Sequence, residues 1–228
     1  RPSRRMHRPL SVLCLHGYSM TGSLLEQSMR RVVSRLDGIV QFTFLDAPHV
    51  VVPNLQIELP SGMDPLGWWR PEKLSDRKFK FHGVDASLSA LDDANTQQVR
   101  EHGRGFDGIL GFSQGAAMAH LVLCLHEHRP DECPLPTLTH AAFFGGFPFA
   151  PVAPLYPETV QAITKVHTLH VYGERDKIIR PATSERLMGC CADDMRQSLH
   201  HQGGHVVHSG RESLKIYEDW FVARAAGL

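Results

Sequence analysis

The residues best suited to chemistry lie in the pentapeptide Gly111-Phe112-Ser113-Gln114-Gly115. An apolar run over 106–110 predicts a short buried strand before it, and the breaker-free stretch 114–128 predicts a helix after it. A sharp strand-to-helix turn exposes the central hydroxyl, and it needs very small residues two positions before and two after the serine. The two glycines meet this requirement, which makes Ser113 a candidate nucleophile.

A serine hydroxyl attacks well only when a base takes its proton and an acid orients that base. Where the serine lies in such a turn, the chain order is serine, acid, histidine, each after a strand. Asp176 follows the apolar run 168–172 after a turn at Gly173, and His205 follows a Gly-Gly pair near the last predicted strand. The sequence therefore predicts Asp176 and His205 as partners of Ser113.

Competing acids and histidines fit these roles less well. Glu174 lies nearer the strand end, but the usual spacing places the acid three residues after the glycine, which selects Asp176. Only His205 among the fifteen histidines follows a Gly-Gly loop able to swing toward a serine. The others are assigned to secondary structure: Asp193 and Asp194 to a polar helix, His200 and His201 to the last strand, and His208 to the start of the final helix.

The charge that develops on a substrate carbonyl needs backbone N–H donors. One is expected from Gln114, directly after the serine, and one from the Tyr18 amide in the His-Gly-Tyr loop after the first strand. The Tyr18 side chain is then free to shape the substrate pocket. Trp68 and Trp69 either line that pocket or pack a loop against the body of the protein.

Strand-like and helix-like stretches alternate, which predicts a mostly parallel sheet with helices on both faces in one domain over residues 1–228. The proline-rich segment 49–80 has no clear period and is expected to be a lid or substrate-binding insertion. Residues 1–8 are basic, lack an initiating methionine and are expected to be a flexible or non-native terminus. Strands are predicted over 11–16, 40–45, 106–110, 140–144, 167–172 and 197–201, and helices over 24–36, 84–99, 114–128 and 209–225.

Composition narrows the classes of partner. Twenty-four basic and twenty-four acidic residues cancel, so there is no basic footprint for nucleic acid and a small-molecule partner is expected. No apolar run reaches about 18 residues and no signal-peptide pattern is present, so we expect no integral membrane association. Five cysteines without metal-ligand spacing predict neither a disulfide framework nor a metal site, and they favour a reducing, cytoplasmic location. The oligomeric state stays open.

Five motifs are spread along the chain: LCLHGYSMTG from Leu13, GWW from Gly67, FDGILGFSQGAAMA from Phe106, HVYGERDKII from His170 and GGHVV from Gly203. Together they resemble the FSH1-type serine hydrolases of the α/β-hydrolase superfamily. The resemblance implies an α/β-hydrolase fold, hydrolysis of carboxyl esters or thioesters, no cofactor and the same Ser113, Asp176 and His205. Acyl-protein thioesterases and phospholipase-like carboxylesterases have a similar serine turn, but Ala116 favours the FSH1 group.

The residues and the resemblance together predict a serine hydrolase that cleaves medium- to long-chain acyl or alkyl esters through an acyl-enzyme. Two alternatives stay open. One is an acyl thioesterase or lysophospholipase-like hydrolase with the same catalytic residues. The other is a hydrolase-fold binding module that keeps the pocket without turnover.

Overall fold

The computed structural model describes residues 8–53, 60–75, 78–150 and 163–227, and this part of the chain alternates strands with helices. The strands are β1 (Leu10–Leu15), β2 (Val40–Leu45), β3 (His49–Val50), β4 (Leu66–Gly67), β5 (Arg70–Ser75), β6 (Lys78–His82), β7 (Gly108–Phe112), β8 (His140–Phe144), β9 (His167–Gly173) and β10 (Arg196–His201). The helices are α1 (Gly22–Arg35), α2 (Val84–His102), α3 (Gln114–His128), α4 (Pro181–Met188) and α5 (Arg211–Ala225), with a 3₁₀ turn at Pro130–Glu132.

Six strands form a central sheet in the order β10-β9-β8-β7-β1-β2. Every neighbouring pair in this sheet is parallel. Parallel strands need crossover connections, and helices lie in four of them: α1 between β1 and β2, α2 between β2 and β7, α3 between β7 and β8, and α4 between β9 and β10. The predicted mostly parallel sheet with flanking helices is confirmed.

The sheet is buried on both faces because successive side chains of a strand point to opposite sides. In β1, Leu13 and Leu15 join a core formed with α2 and α3. Val12 and Cys14, on the other face, join a second core formed with α1 and α5. The central strands are therefore fixed from both sides, and their carboxyl ends present loops at defined positions.

The segment expected to be an irregular insertion contains secondary structure. It forms two short antiparallel pairs, β3 with β4 and β5 with β6. The sequence pattern does not indicate these strands, because they are short, the segment contains prolines, and no long alternation of apolar and polar residues is present. Residues 54–59 and 76–77 of the insertion lie outside the described residues.

Other sequence expectations differ from the structure in detail. Asp193 and Asp194 lie in a turn before β10 and not in a helix. The helix nearest to them is α4, which no sequence pattern predicted. Its eight residues are too few to give a clear apolar period. Of the basic terminus only Arg8 is described, so the expectation for residues 1–7 lies outside the described residues.

The order of the strands determines where a ligand site forms. The chain runs from β1 to β2 on one side and returns to β7 on the other, so the connections diverge between β1 and β7. In open parallel sheets, the crevice at the carboxyl ends of two such strands is the usual binding position. The loop after β1 and the turn after β7 both open into this crevice.

Candidate active site

Ser113 occupies a sharp turn between β7 and α3, with φ 54° and ψ −115°. A non-glycine residue with positive φ is uncommon, and it persists only where the surrounding packing holds it. A Cβ atom on Gly111 would lie 2.4 Å from the carbonyl oxygen of Gly115, and one on Gly115 would lie 2.1 Å from that of Leu15. Strand and helix therefore approach too closely for any side chain at these two positions.

The carboxylate of Asp176 lies against the imidazole of His205. The Oδ2 atom is 2.6 Å from Nδ1 of His205. The other oxygen, Oδ1, accepts the backbone N–H groups of Ile178 at 2.9 Å and Ile179 at 2.8 Å. Because the Asp176 side chain is 1% exposed, these bonds fix the carboxylate in one orientation.

The second imidazole nitrogen of His205 has no partner within the described part of the chain. Its Nε2 atom is buried from solvent and makes no hydrogen bond. Since a carboxylate accepts at Nδ1, that nitrogen carries the proton, and Nε2 of the neutral ring is left as an acceptor. The buried Nε2 of the neutral ring is therefore able to accept a hydrogen bond or a proton.

Ser113, His205 and Tyr18 line one cavity of about 770 Å³ at the carboxyl end of the sheet. None of its lining residues carries a side chain with a permanent charge. Such a wall favours an uncharged, apolar ligand with a reactive polar group at one end. The other lining residues are Gly17, Met20, Ser28, Phe112, Ile178, Val206 and Val207.

Two backbone amides adjoin the serine. Gln114 is the first residue of α3, where N–H groups have no intrahelical acceptor. The amide of Tyr18 lies in the loop after β1, and a Cβ on the preceding Gly17 would lie 3.3 Å from the Ser113 Cβ. In the described ranges neither N–H donates to a protein acceptor. Both amides are available to a negatively charged oxygen near Ser113.

His16 supports the loop that carries Tyr18. Its Nδ1 lies 2.8 Å from the carbonyl oxygen of Gly17, and the backbone N–H of Ala47 donates to its Nε2 at 3.0 Å. The ring therefore carries its single proton on Nδ1 and donates it to Gly17. Burial lowers the pKa of His16, which favours this neutral form.

Trp68 and Trp69 are not brought to the cavity. Their exposures are 0% and 2%, and both belong to the core on the α3 side of the sheet. Trp69 stacks on Phe81 with ring centroids 5.0 Å apart. Both residues therefore pack the insertion against the body of the protein, and neither lines the cavity that contains Ser113.

No group of three His, Cys, Asp or Glu residues in the described ranges is arranged to hold a metal ion. Their five cysteines are free thiols. Across the same ranges no helix is both long and apolar enough to cross a membrane.

The sequence model of the FSH1 serine hydrolase family matches residues 6–215. The chain belongs to this family. The zebrafish (Danio rerio) esterase OVCA2 is 30% identical over 232 residues, covering 93% of this chain and 96% of the relative. The Xenopus tropicalis esterase OVCA2 is 31% identical over 225 residues, covering 95% of this chain and 94% of the relative. An assignment to the esterase-type serine hydrolases follows.

Solved structures confirm the α/β-hydrolase fold of this FSH1-family chain. Esterase PE8 has a TM-score of 0.64 at 22% identity, with 94% of this chain and 92% of that chain covered. The acyl-protein thioesterase 2 of Zea mays has a TM-score of 0.64 at 19% identity, with 99% and 96% covered.

Two residues that shape this FSH1-family site were not predicted from the sequence. Gly145, directly after β8, has φ +53°, and a Cβ there would lie 2.8 Å from Cε1 of His205. The signal for it is the Gly-Gly pair after an apolar strand. His16 belongs to the His-Gly-Tyr loop, and the signal for its supporting role is a polar residue placed directly after a fully buried strand.

Proposed function

We propose that the protein is a serine carboxylesterase that hydrolyses apolar acyl or alkyl esters through an acyl-enzyme on Ser113. The observation that carries the proposal is the convergence of Ser113 and His205 in one cavity. Among the described residues the buried Nε2 of His205 has no hydrogen-bond partner, and Asp176 orients the ring from behind. This is the arrangement that converts a serine hydroxyl into a nucleophile.

In the acylation step Nε2 of His205 takes the hydroxyl proton while Oγ of Ser113 bonds to the ester carbonyl carbon. The carbonyl π electrons move to oxygen, and the resulting oxyanion accepts the N–H groups of Tyr18 and Gln114. Asp176 stabilises the imidazolium. The tetrahedral intermediate then expels the alcohol, which takes the proton from Nε2, and leaves an acyl group on Ser113.

In the deacylation step water enters the cavity and gives a proton to Nε2 of His205. Its oxygen attacks the acyl carbon, and the same two amides hold the second oxyanion. Collapse of this intermediate releases the carboxylic acid and returns the proton to Ser113.

The wall of the cavity favours medium- to long-chain substrates. Met20, Phe112 and Val207 are apolar, and none of the lining residues carries a permanent charge that would attract a charged acyl chain. Ile178 and Val206 extend this apolar surface toward solvent, at 53% and 50% exposure. Each methylene that leaves water in such contacts contributes about 0.8 kcal/mol.

The proposal is tested by Ser113→Ala, with Ser28→Ala as the matched control. Ser28 also lines the cavity, but its hydroxyl donates to the Leu24 carbonyl. We expect Ser113→Ala to lose labelling by a fluorophosphonate probe and to lower kcat for a p-nitrophenyl ester by about 10⁴-fold or more. Ser28→Ala should keep the label. Persistent labelling of Ser113→Ala would exclude Ser113 as the nucleophile.

A substrate panel separates the ester activity from its alternatives. It contains p-nitrophenyl esters of increasing chain length, acyl-CoA thioesters and a lysophospholipid. We expect kcat/KM to rise with acyl length among the esters and to exceed that for thioesters of the same chain. A higher value for the thioester or lysophospholipid would reassign the substrate class, and no acyl-enzyme burst with any substrate would favour the binding module.

A further inference from the structure

Trp68 hydrogen-bonds to both of the chain segments that hold the proposed oxyanion donors. Its indole N–H donates to the carbonyl oxygen of His16 at 2.9 Å. Its backbone N–H donates to Oε1 of Gln114 at 2.9 Å. One residue therefore connects the loop of Tyr18 with the residue that follows Ser113.

The neighbours of Trp68 strengthen this connection. The N–H of Ser19 donates to the Leu66 carbonyl at 2.8 Å, and the N–H of Leu66 donates to the Met20 carbonyl at 3.2 Å. Nε2 of Gln114 donates to the carbonyl of Trp69 at 3.1 Å. The segment 66–69 thus pairs with the loop after β1 on one side and with the Gln114 side chain on the other.

His16 transmits this contact to the Tyr18 amide. The imidazole ring of His16 packs on Trp68 with centroids 5.3 Å apart, and its Nδ1–H holds the Gly17 carbonyl oxygen. That oxygen and the N–H of Tyr18 belong to the same planar peptide group. Fixing one therefore fixes the direction of the other.

We propose that Trp68 is a positioning residue that sets the separation and direction of the two oxyanion-binding amides. The inference rests on the proposed esterase function. Trp68 is fully buried and does not line the cavity, so it acts through His16 and Gln114 and makes no contact with the substrate. The insertion between β2 and α2 thereby completes the oxyanion site, whatever else it contributes to substrate choice.

The test compares Trp68→Phe with Trp69→Phe. Each change removes the same side-chain volume, and both tryptophans are buried in the same core, so the loss of packing is comparable in the two variants. Phenylalanine at position 68 removes the N–H that donates to His16, whereas Trp69 bonds to Gln114 through its backbone oxygen, which phenylalanine keeps. Removing one oxyanion donor outright typically costs a hundredfold to a thousandfold in kcat, so a displaced donor should cost less. We expect Trp68→Phe to lower kcat about tenfold with KM within about threefold, and Trp69→Phe to leave both within about threefold.

Gln114→Met tests the same connection independently, because it removes the side-chain hydrogen bonds to Trp68 and Trp69. Methionine has a similar length but neither donates to Trp69 nor accepts from Trp68, while the backbone N–H of residue 114 remains. We expect kcat to fall about tenfold here as well. This variant keeps both tryptophans, so it carries the test if Trp68→Phe does not fold.

A trifluoromethyl ketone distinguishes positioning from general loss of structure. It forms a tetrahedral adduct whose oxyanion depends on the same amides, so in Trp68→Phe its affinity should fall by the same factor as kcat/KM. Equal kcat losses in Trp68→Phe and Trp69→Phe, or unchanged ketone affinity in Trp68→Phe and Gln114→Met, would overturn the positioning role. An active wild-type enzyme with either result leaves the esterase assignment intact. A wild-type protein that turns over no ester removes both.

Discussion

The cavity has two walls, each taken here with the residues packed behind it, and they are built differently. The amide wall, residues 16–20 with 66–69 and Gln114, is closely packed, with His16 and Trp68 fully buried and Gln114 4% exposed. The imidazole wall, residues 176–179 with 201–208, carries Ile178 and Val206 about half exposed. A Cβ on Gly17 of the amide wall would meet three atoms within 3.3 Å, whereas one on Gly204 would meet only the Arg175 oxygen at 3.8 Å.

The difference follows from the work each wall would do in the proposed mechanism. Amides that stabilise an oxyanion gain their advantage by being oriented before the charge appears, so rigid packing favours them. An imidazole must exchange protons with a serine, a leaving group and water, and the ring of His205 is held by the Asp176 carboxylate and by packing on Phe112, with ring centroids 4.7 Å apart. Its loop therefore tolerates exposure, and its apolar residues are left to contact the substrate.

The largest expected effect comes from adding one methyl group to a glycine of each wall and comparing the two variants. On the amide wall Gly17→Ala places its Cβ 3.1 Å from both Sδ of Met20 and Cδ1 of Phe112. Contacts of this length require a few tenths of an ångström of movement, and in the closely packed amide wall we expect the loop to take up part of it. The Tyr18 amide moves with the loop, so kcat should fall roughly ten- to a hundredfold. Gly204→Ala is the matched change on the imidazole wall and should alter kcat by less than about twofold. Comparable losses in both variants would remove the distinction in rigidity.

A smaller effect concerns the apolar residues of the imidazole wall. Val206→Ser removes apolar contact at the cavity mouth, so we expect kcat/KM for an ester of about ten acyl carbons to fall roughly threefold, with little change for the acetate ester. Val222→Ser is the control, because Val222 on α5 is 48% exposed and does not line the cavity. If both variants fall equally, or acetate falls as much as the long ester, the wall does not contact the chain.

The smallest effect concerns the buried imidazole of the amide wall. Burial lowers the pKa of His16 below its ordinary value of about 6.5. As the pH falls below 6.5 the unfolded chain binds a proton there before the folded protein does. The contribution of neutral His16 to stability is therefore complete above 6.5 and is lost as the pH falls through the lowered pKa, by up to about 1.4 kcal/mol per pH unit.

His16→Asn isolates this contribution, because asparagine does not titrate and still offers a side-chain N–H near the Gly17 carbonyl. We expect the free energy of unfolding in urea, measured between about pH 8 and pH 5, to fall less steeply in this variant than in the wild type. The other buried histidines titrate in both proteins and cancel in the difference. Parallel curves would show that His16 is not held neutral by the fold.

Strong periodicity made the sheet and its helices predictable. β2, β8 and α3 have the bounds that the sequence indicates, and α5 differs by only two residues at its start. Ser113, Asp176 and His205 were predictable as a set because a strained turn and two strand ends require particular residues in a particular order. Their catalytic roles, the single-domain organisation and the cytoplasmic location stay predictions.

The role of Trp68 was not predictable because its bonds join positions far apart in sequence. Nothing local to the Gly-Trp-Trp motif shows that one indole reaches back 52 residues to His16 while the backbone reaches forward 46 residues to Gln114. A tryptophan pair in a proline-rich segment is typical both of a pocket and of a core. Only the packed structure separates the two.

The anchoring of residues 66–69 also limits how this insertion can change during evolution. Lengthening a surface loop costs only about 0.6 kcal/mol for each doubling, so the exposed connection over residues 60–64, before the anchor, tolerates insertions and deletions. The anchored residues do not tolerate such changes, because they contact both of the segments that carry the proposed oxyanion donors. A descendant enzyme is therefore free to rebuild the edges of this segment for new substrates while it inherits the chemistry unchanged.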